Sequence, residues 1–123
     1  MTRIYHNPNC STSRRVLAVL REAGEEPEVV EYLRTPPSRD EVRRLAAEAG
    51  LTLREAMRRR GTPFDELGLD DPGLADEQLL DAIAAHPVLL ERPFVVTARG
   101  TRLCRPAERV FEIMANPPGA PAS

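Results

Sequence analysis

Apolar and polar positions along this chain change rhythm three times, and each change marks a group of elements. Arg3-Ile4-Tyr5-His6 is a short strand-like run stopped by Asn7-Pro8-Asn9, after which Val16, Leu17 and Leu20 recur at helical spacing between Ser13 and Ala23. Gly24 closes that helix, and Glu28-Val29-Val30-Glu31-Tyr32 follows as a second strand at a separation that suits a parallel βαβ crossover. Thr35-Pro36-Pro37 breaks the chain. Ser38-Arg39-Asp40-Glu41 then has the Ser-x-x-Glu form of a capping box, and Val42, Leu45, Ala46 and Ala49 form one face of a helix ending at Gly50. Thr52-Leu53-Arg54-Glu55 repeats the device and predicts a helix to about Arg60, ended by Gly61 with Pro63 close behind; a further helix runs roughly from Asp76 to Ala85 and stops before Pro87.

The last third returns to a period of two. Phe94-Val95-Val96-Thr97 is β-rich, Arg99-Gly100 is a turn and Thr101-Arg102-Leu103-Cys104 is a second run, which together predict a β-hairpin. Pro106 suits the first position of a last helix with Val110, Phe111 and Met114 on its apolar face. The order is βαβ, a helical insert, then ββα. We therefore expect one domain over residues 1–115, with a helical insertion at about 38–86 and a flexible tail at 116–123.

Composition narrows what such a chain can do. With 123 residues it has the length of one domain, which buries roughly two-thirds of its unfolded surface. Asp+Glu 19 against Lys+Arg 17 leaves a net charge of -2, so the basic field that non-specific nucleic-acid binding uses is missing, and nucleic acid is not an expected partner. No apolar run approaches the ~18 residues of a membrane span, and MTRIYHNPNC has no signal-peptide core. A cytoplasmic protein without a membrane partner is expected. Every one of the 17 basic residues is Arg, which by itself is explained by a codon habit.

Cys10 is the most informative position, because it stands where a strand has ended and a helix begins. The partial positive charge and unpaired N–H groups of a helix start lower a thiol pKa below its free value of ~8.5. The opposing reading is a buried cysteine that packs as a small hydrophobe; the polar neighbours Asn9, Ser11, Thr12 and Ser13 favour the reactive thiol. His6 either adds positive charge beside Cys10 or ends its strand at the surface, and taken alone the surface reading is the stronger. Ser11, Thr12 and Ser13 offer hydroxyls and N–H groups that can cradle an oxyanion, or else serve as ordinary caps. Two cysteine motifs are excluded. A Cys-x-x-Cys redox pair needs a thiol at position 13, where Ser13 stands, and a Cys-x5-Arg phosphatase loop needs Arg at position 16, where Val16 stands.

The runs Tyr5-His6-Asn7-Pro8-Asn9-Cys10-Ser11-Thr12-Ser13-Arg14, Tyr32-Leu33-Arg34-Thr35-Pro36-Pro37, Glu66-Leu67-Gly68-Leu69, Glu91-Arg92-Pro93-Phe94-Val95-Val96-Thr97 and Gly100-Thr101-Arg102-Leu103-Cys104-Arg105-Pro106 are in one order. Together they resemble the glutathione/glutaredoxin-linked arsenate reductases, the ArsC family of the thioredoxin-like superfamily. The likeness runs from about Ile4 to Met114. It implies an α/β thioredoxin-like fold with a mixed four-stranded sheet and a helical insertion. It further implies that the Cys10 thiolate attacks arsenate, that glutathione attacks the adduct, and that glutaredoxin resolves the mixed species. Arg58, Arg92 and Arg105 fall on the family's oxyanion-binding positions, although a slip of one in Arg58-Arg59-Arg60 would select Arg59. His6 takes the role of favouring the thiolate, Asn7 belongs to the lead-in to Cys10, and Pro93 matches the proline kept in cis beside the thiol. Glutathione would be a co-substrate with no tightly bound cofactor and no metal, and a monomer is expected. Three guanidiniums suit a tetrahedral oxyanion, since each presents a planar fork of donors and keeps its proton. Cys104 matches a family residue that this mechanism does not need.

Two other readings share the fold. One is a glutathione-dependent thiol oxidoreductase acting on a substrate other than arsenate. The other is an Spx-like transcriptional regulator, whose group usually carries Cys-x-x-Cys where this chain has Cys10-Ser11-Thr12-Ser13 and lacks the full arginine set.

Overall fold

The computed structural model describes residues 1–115 and 117. Of the expected tail at 116–123, all but Pro117 lies outside the described residues. The chain forms two compact units: Met1–Glu31 with the described chain from Arg92 onward, and Tyr32–Glu91.

The first unit is a four-stranded mixed sheet in the order β2-β1-β3-β4. β1 (Arg3–His6) pairs parallel with β2 (Glu28–Glu31), and antiparallel with β3 (Phe94–Thr97), which makes a hairpin with β4 (Gly100–Leu103). The parallel pair requires a crossover, and α1 (Ser11–Glu22) supplies it. Gly24 ends that helix at φ 83, with Gly24 N–H donating to Arg21 O at 3.0 Å and Glu25 N–H to Leu20 O at 3.0 Å, the paired bonds of a Schellman ending. Strand alternation then assigns faces: Ile4, Val29 and Val95 are in register, Ile4 and Val95 belong to one buried cluster with Val16, Leu17 and Leu20 of α1, and the half-buried Val29 packs against it. At about 1.5–3 kcal/mol for each large apolar side chain, those three helix residues contribute about 5–9 kcal/mol of gross burial. His6 lies two residues after Ile4 and so shares the α1 face. This is the thioredoxin-like α/β fold that the resemblance implies.

One predicted element of this unit changes character. The segment after β4 is a 3₁₀ helix, Ala107–Ile113, with Pro106 as its N-cap and not its first helical residue. Ala107, Val110 and Ile113 are the buried residues, spaced by three. A helix with three residues per turn sets such positions in one line, whereas an α-helix would drift the line off the core. Phe111, expected on the apolar face, is only partly buried.

The second unit holds α2 (Arg39–Glu48), α3 (Asp76–Ala85) and a short 3₁₀ turn, Pro87–Leu89. Ser38 caps α2 as its sequence foretold, accepting from Glu41 N–H at 3.1 Å. The predicted helix from Thr52 to about Arg60 is absent. Its capping box does form, with Thr52 N–H donating to Glu55 Oε1 at 2.9 Å and Glu55 N–H to Thr52 Oγ1 at 3.1 Å. After one turn, however, the backbone is drawn elsewhere: Arg58 N–H donates to Leu89 O at 2.7 Å and Glu91 N–H to Ala56 O at 2.9 Å, around an isolated antiparallel bridge of Met57 with Leu90. Those bonds consume the groups that a second helical turn would have needed. Tyr32 Oη–H donates to Leu90 O at 2.9 Å in the same buried region.

Candidate active site

Sheet register brings three distant segments together. Tyr5 is opposite Phe94, and Phe94 is opposite Leu103. The end of β1, the residues before β3 and the residues after β4 therefore meet at one end of the sheet, and these are the positions of Cys10, Arg92 and Arg105.

Cys10 is the N-cap of α1, with extended backbone at φ -101 and ψ 120. Ser11, Thr12 and Ser13 thus occupy the first three helical positions, and the reading of them as caps is corrected. Asn7 shapes the loop that delivers the thiol. Its Oδ1 accepts from Asn9 N–H at 2.9 Å and its backbone carbonyl from Cys10 N–H at 3.0 Å. Arg14 pins the same loop from the helix, donating through Nη1 to Pro8 O at 2.9 Å. Nothing in the sequence distinguished Arg14 from other surface arginines.

Arg105 reaches the sulfur. Its Nη1 lies 3.7 Å from Cys10 Sγ and donates to Arg92 O at 3.1 Å. Burial of the half-buried thiol opposes ionisation, but the Ser13 backbone N–H and the Arg92 and Arg105 guanidiniums outweigh it, and the Cys10 pKa lies below its ordinary 9.0. The peptide bond before Pro93 is cis, as expected, and a second cis bond precedes Pro106, which the sequence reading did not anticipate.

His6 and Ser13 depart from expectation. His6 is buried, at 6% exposure, which corrects the surface reading. Burial lowers its pKa below 6.5, and Arg21 and Arg14 lower it further against a raising effect of Glu31, so the ring is neutral at pH 7. Arg92 and Arg105 are the side chains whose charge favours the Cys10 thiolate. His6 Nδ1 instead meets Ser13 Oγ at 2.6 Å, and the same oxygen accepts from Asn7 N–H at 3.1 Å. Ser13 is wholly buried. Its hydroxyl is a fixed internal hub and does not belong to an oxyanion cradle, which leaves Ser11 and Thr12, exposed and half-buried, as the hydroxyls available at the helix start.

The remaining candidates are distributed as follows. Arg58 belongs to the second unit, where it is half-buried, pairs through Nη1 with Glu91 Oε1 at 3.1 Å and donates through Nε to Arg60 O at 3.0 Å. Arg59 is exposed, is committed to Asp65 at 2.6 Å and Asp70 at 3.5 Å, and lies over the Phe64 ring at 5.2 Å. Cys104 is fully buried in the core cluster, and burial pushes its thiol up to about 12, so it stays protonated and unreactive.

A cysteine at the start of the first helix of a mixed sheet in the order β2-β1-β3-β4, with a guanidinium at its sulfur, places the chain in the thioredoxin-like superfamily. Residues 5–113 match the ArsC family, and the chain belongs to it. It is 61% identical over 111 residues to the arsenate reductase of Rhizobium meliloti (strain 1021), covering 90% of this chain and 79% of that one. It is 49% identical over 111 residues to the arsenate reductase of Escherichia coli (strain K12), with the same coverage of 90% and 79%. Among solved structures, an arsenate reductase from Vibrio cholerae matches with a TM-score of 0.87 at 46% identity, over 92% of this chain and 97% of that one.

Proposed function

We propose that this protein is an arsenate reductase that uses Cys10 as nucleophile and glutathione with glutaredoxin as reductants. The observation that carries the reading is the contact of Arg105 with the Cys10 sulfur at 3.7 Å, in a site where Arg92 also favours the thiolate. An anionic tetrahedral substrate needs positive charge that stays fixed while charge moves, and a guanidinium meets that need better than an ammonium. Arg58 is proposed as the third member of the clamp.

In the first step the Cys10 sulfur forms a bond to arsenic and one As–O bond breaks. The thiol with dihydrogen arsenate gives the cysteinyl thioarsenate monoanion and water. Reduction of As(V) to As(III) then takes two electrons, supplied by two thiols that end as a disulfide, one from glutathione and one from glutaredoxin. Arsenite leaves and the Cys10 thiolate is restored. Ser11 and Thr12 supply N–H and hydroxyl donors to the oxyanion. The neutral His6, through the Ser13 hub, holds the α1 start in register with β1 and acts as a positioning residue.

Purified protein with arsenate, glutathione and glutaredoxin is expected to form arsenite, and Cys10→Ser to form none. Undiminished arsenite formation by Cys10→Ser would overturn the mechanism.

A further inference from the structure

A groove of about 370 Å³ runs along the start of α1, lined by Ser11, Thr12, Arg15, Pro106, Ala107 and Glu108. Its volume falls in the range of small-molecule sites, ~300–1,000 Å³. Ser11 and Pro106 directly follow Cys10 and Arg105 in the chain, and those two side chains meet at 3.7 Å. The groove is therefore lined by the immediate chain neighbours of that reactive pair.

Its far end carries one charge of each sign. Arg15 Nη2 pairs with Glu108 Oε1 at 2.9 Å, with the two side chains 66% and 49% exposed. An exposed pair of this kind is worth at most about 1 kcal/mol and exchanges readily. A ligand that itself carries an ammonium and a carboxylate on one carbon presents the complementary doublet: its carboxylate to Arg15, its ammonium to Glu108. Arg15 stands five positions after Cys10, a rise of ~7.5 Å along the helix axis.

We propose that this groove binds glutathione by its γ-glutamyl end. The γ-linkage sets the zwitterionic carbon roughly 6–7 Å from the cysteinyl Cα at full extension, close to the helical rise from Cys10 to Arg15. With the doublet docked on Arg15 and Glu108, the glutathione sulfur is delivered to the Cys10 end, while the Ser11 and Thr12 groups face the peptide. The assignment deepens the reductase reading and rests on it for its purpose, but the recognition is testable without arsenate. Neither Arg15 nor Glu108 stands out in the sequence, where each is one more charged residue of a helical segment.

The test is thiol–disulfide exchange. Cys10 thiolate attacks oxidised glutathione, one S–S bond breaks, and a Cys10–glutathione mixed disulfide and one glutathione thiolate result; mass spectrometry follows the adduct. Hydroxyethyl disulfide, which has no charged groups, is the reference for each variant, so any general change in Cys10 reactivity cancels in the ratio of the two rates. Arg15→Ala and Glu108→Ala are each expected to lower the ratio about fivefold, the equivalent of one exposed ion pair at the upper end of its range, and Arg15→Glu to lower it further. A ratio within about twofold of wild type in both alanine variants overturns the groove assignment. Arsenite formation, measured separately on the wild type, decides the reductase reading. A protein that makes no arsenite yet shows the lowered ratios keeps the glutathione groove and loses the substrate; one that makes arsenite with unchanged ratios loses the groove alone.

Discussion

Replacing Arg105 by Gln removes the charge that touches the Cys10 sulfur and leaves an uncharged donor in its place. At 3.7 Å from Nη1 to Sγ, two unit charges attract by about 1 kcal/mol in water and by about 4 kcal/mol at an effective dielectric of ~20. Cys10 is half-buried, and the guanidinium charge is spread behind the contacting nitrogen, so the lower part of that range applies. A loss of about 1–2 kcal/mol makes the thiolate ~5- to 30-fold scarcer at a pH below its midpoint. The alkylation rate falls less, because a more basic thiolate is a better nucleophile; with a Brønsted slope of ~0.4–0.5 the loss is ~2- to 8-fold. The assay is the pH profile of iodoacetamide alkylation. Wild type should titrate below the free-thiol value of ~8.5, Arg105→Gln should titrate higher, and Arg105→Lys should fall between them. High salt should narrow the differences, because the site is partly open to solvent. A midpoint in Arg105→Gln equal to or below that of wild type would refute the reasoning and leave the thiolate to Arg92 and the Ser13 N–H.

Ser13→Ala leaves the buried Asn7 N–H without its acceptor and is expected to cost about 1–3 kcal/mol, read as a lower urea midpoint at unchanged slope; wild-type stability would remove Ser13 as a hub. His6 has a lowered folded pKa, so the unfolded chain binds its proton more readily; the stability this contributes is complete above the unfolded value of about 6.5 and is lost as pH falls through the folded value. Urea unfolding should therefore show His6→Gln losing less stability than wild type between about pH 7.5 and about pH 5, and equal losses would contradict the shift. Arg54 donates through Nε to Leu69 O at 3.1 Å and through Nη2 to Asp71 O at 2.8 Å. Arg54→Ala should cost about 0.5–2 kcal/mol and Arg54→Lys should not restore it, since an ammonium cannot span both carbonyls; an unchanged thermal midpoint in either would count against the bridge.

The case of Arg54 shows why the arginines could not be sorted by reading alone. On the chain it is one residue of the Thr52 capping box, and in the structure it ties two carbonyls of a loop more than a dozen residues away. Local patterns carried the strands, α1 and its Gly24 ending, α2 with its Ser38 cap, and α3, because spacing and capping are properties of neighbouring residues. They failed where distant backbone competed. The Thr52 box began a turn that pairing of Met57 with Leu90 cut short, and after Pro106 the α-helical face expected of Val110, Phe111 and Met114 gave way to the 3₁₀ line of Ala107, Val110 and Ile113.

The candidate site divides the same way. Sequence alone set Cys10 at a helix start among small polar residues and marked Arg92 and Arg105 through the motifs around them, since those signals are contiguous in the chain. Only the tertiary structure decided that Arg105 touches the sulfur, that His6 is buried with its pKa lowered, that the Ser13 hydroxyl turns inward, and that Arg15 meets Glu108. Charge state depends on burial and on what stands across a gap of a few ångströms. Both are set by strand register between segments up to 95 residues apart, which no local pattern encodes.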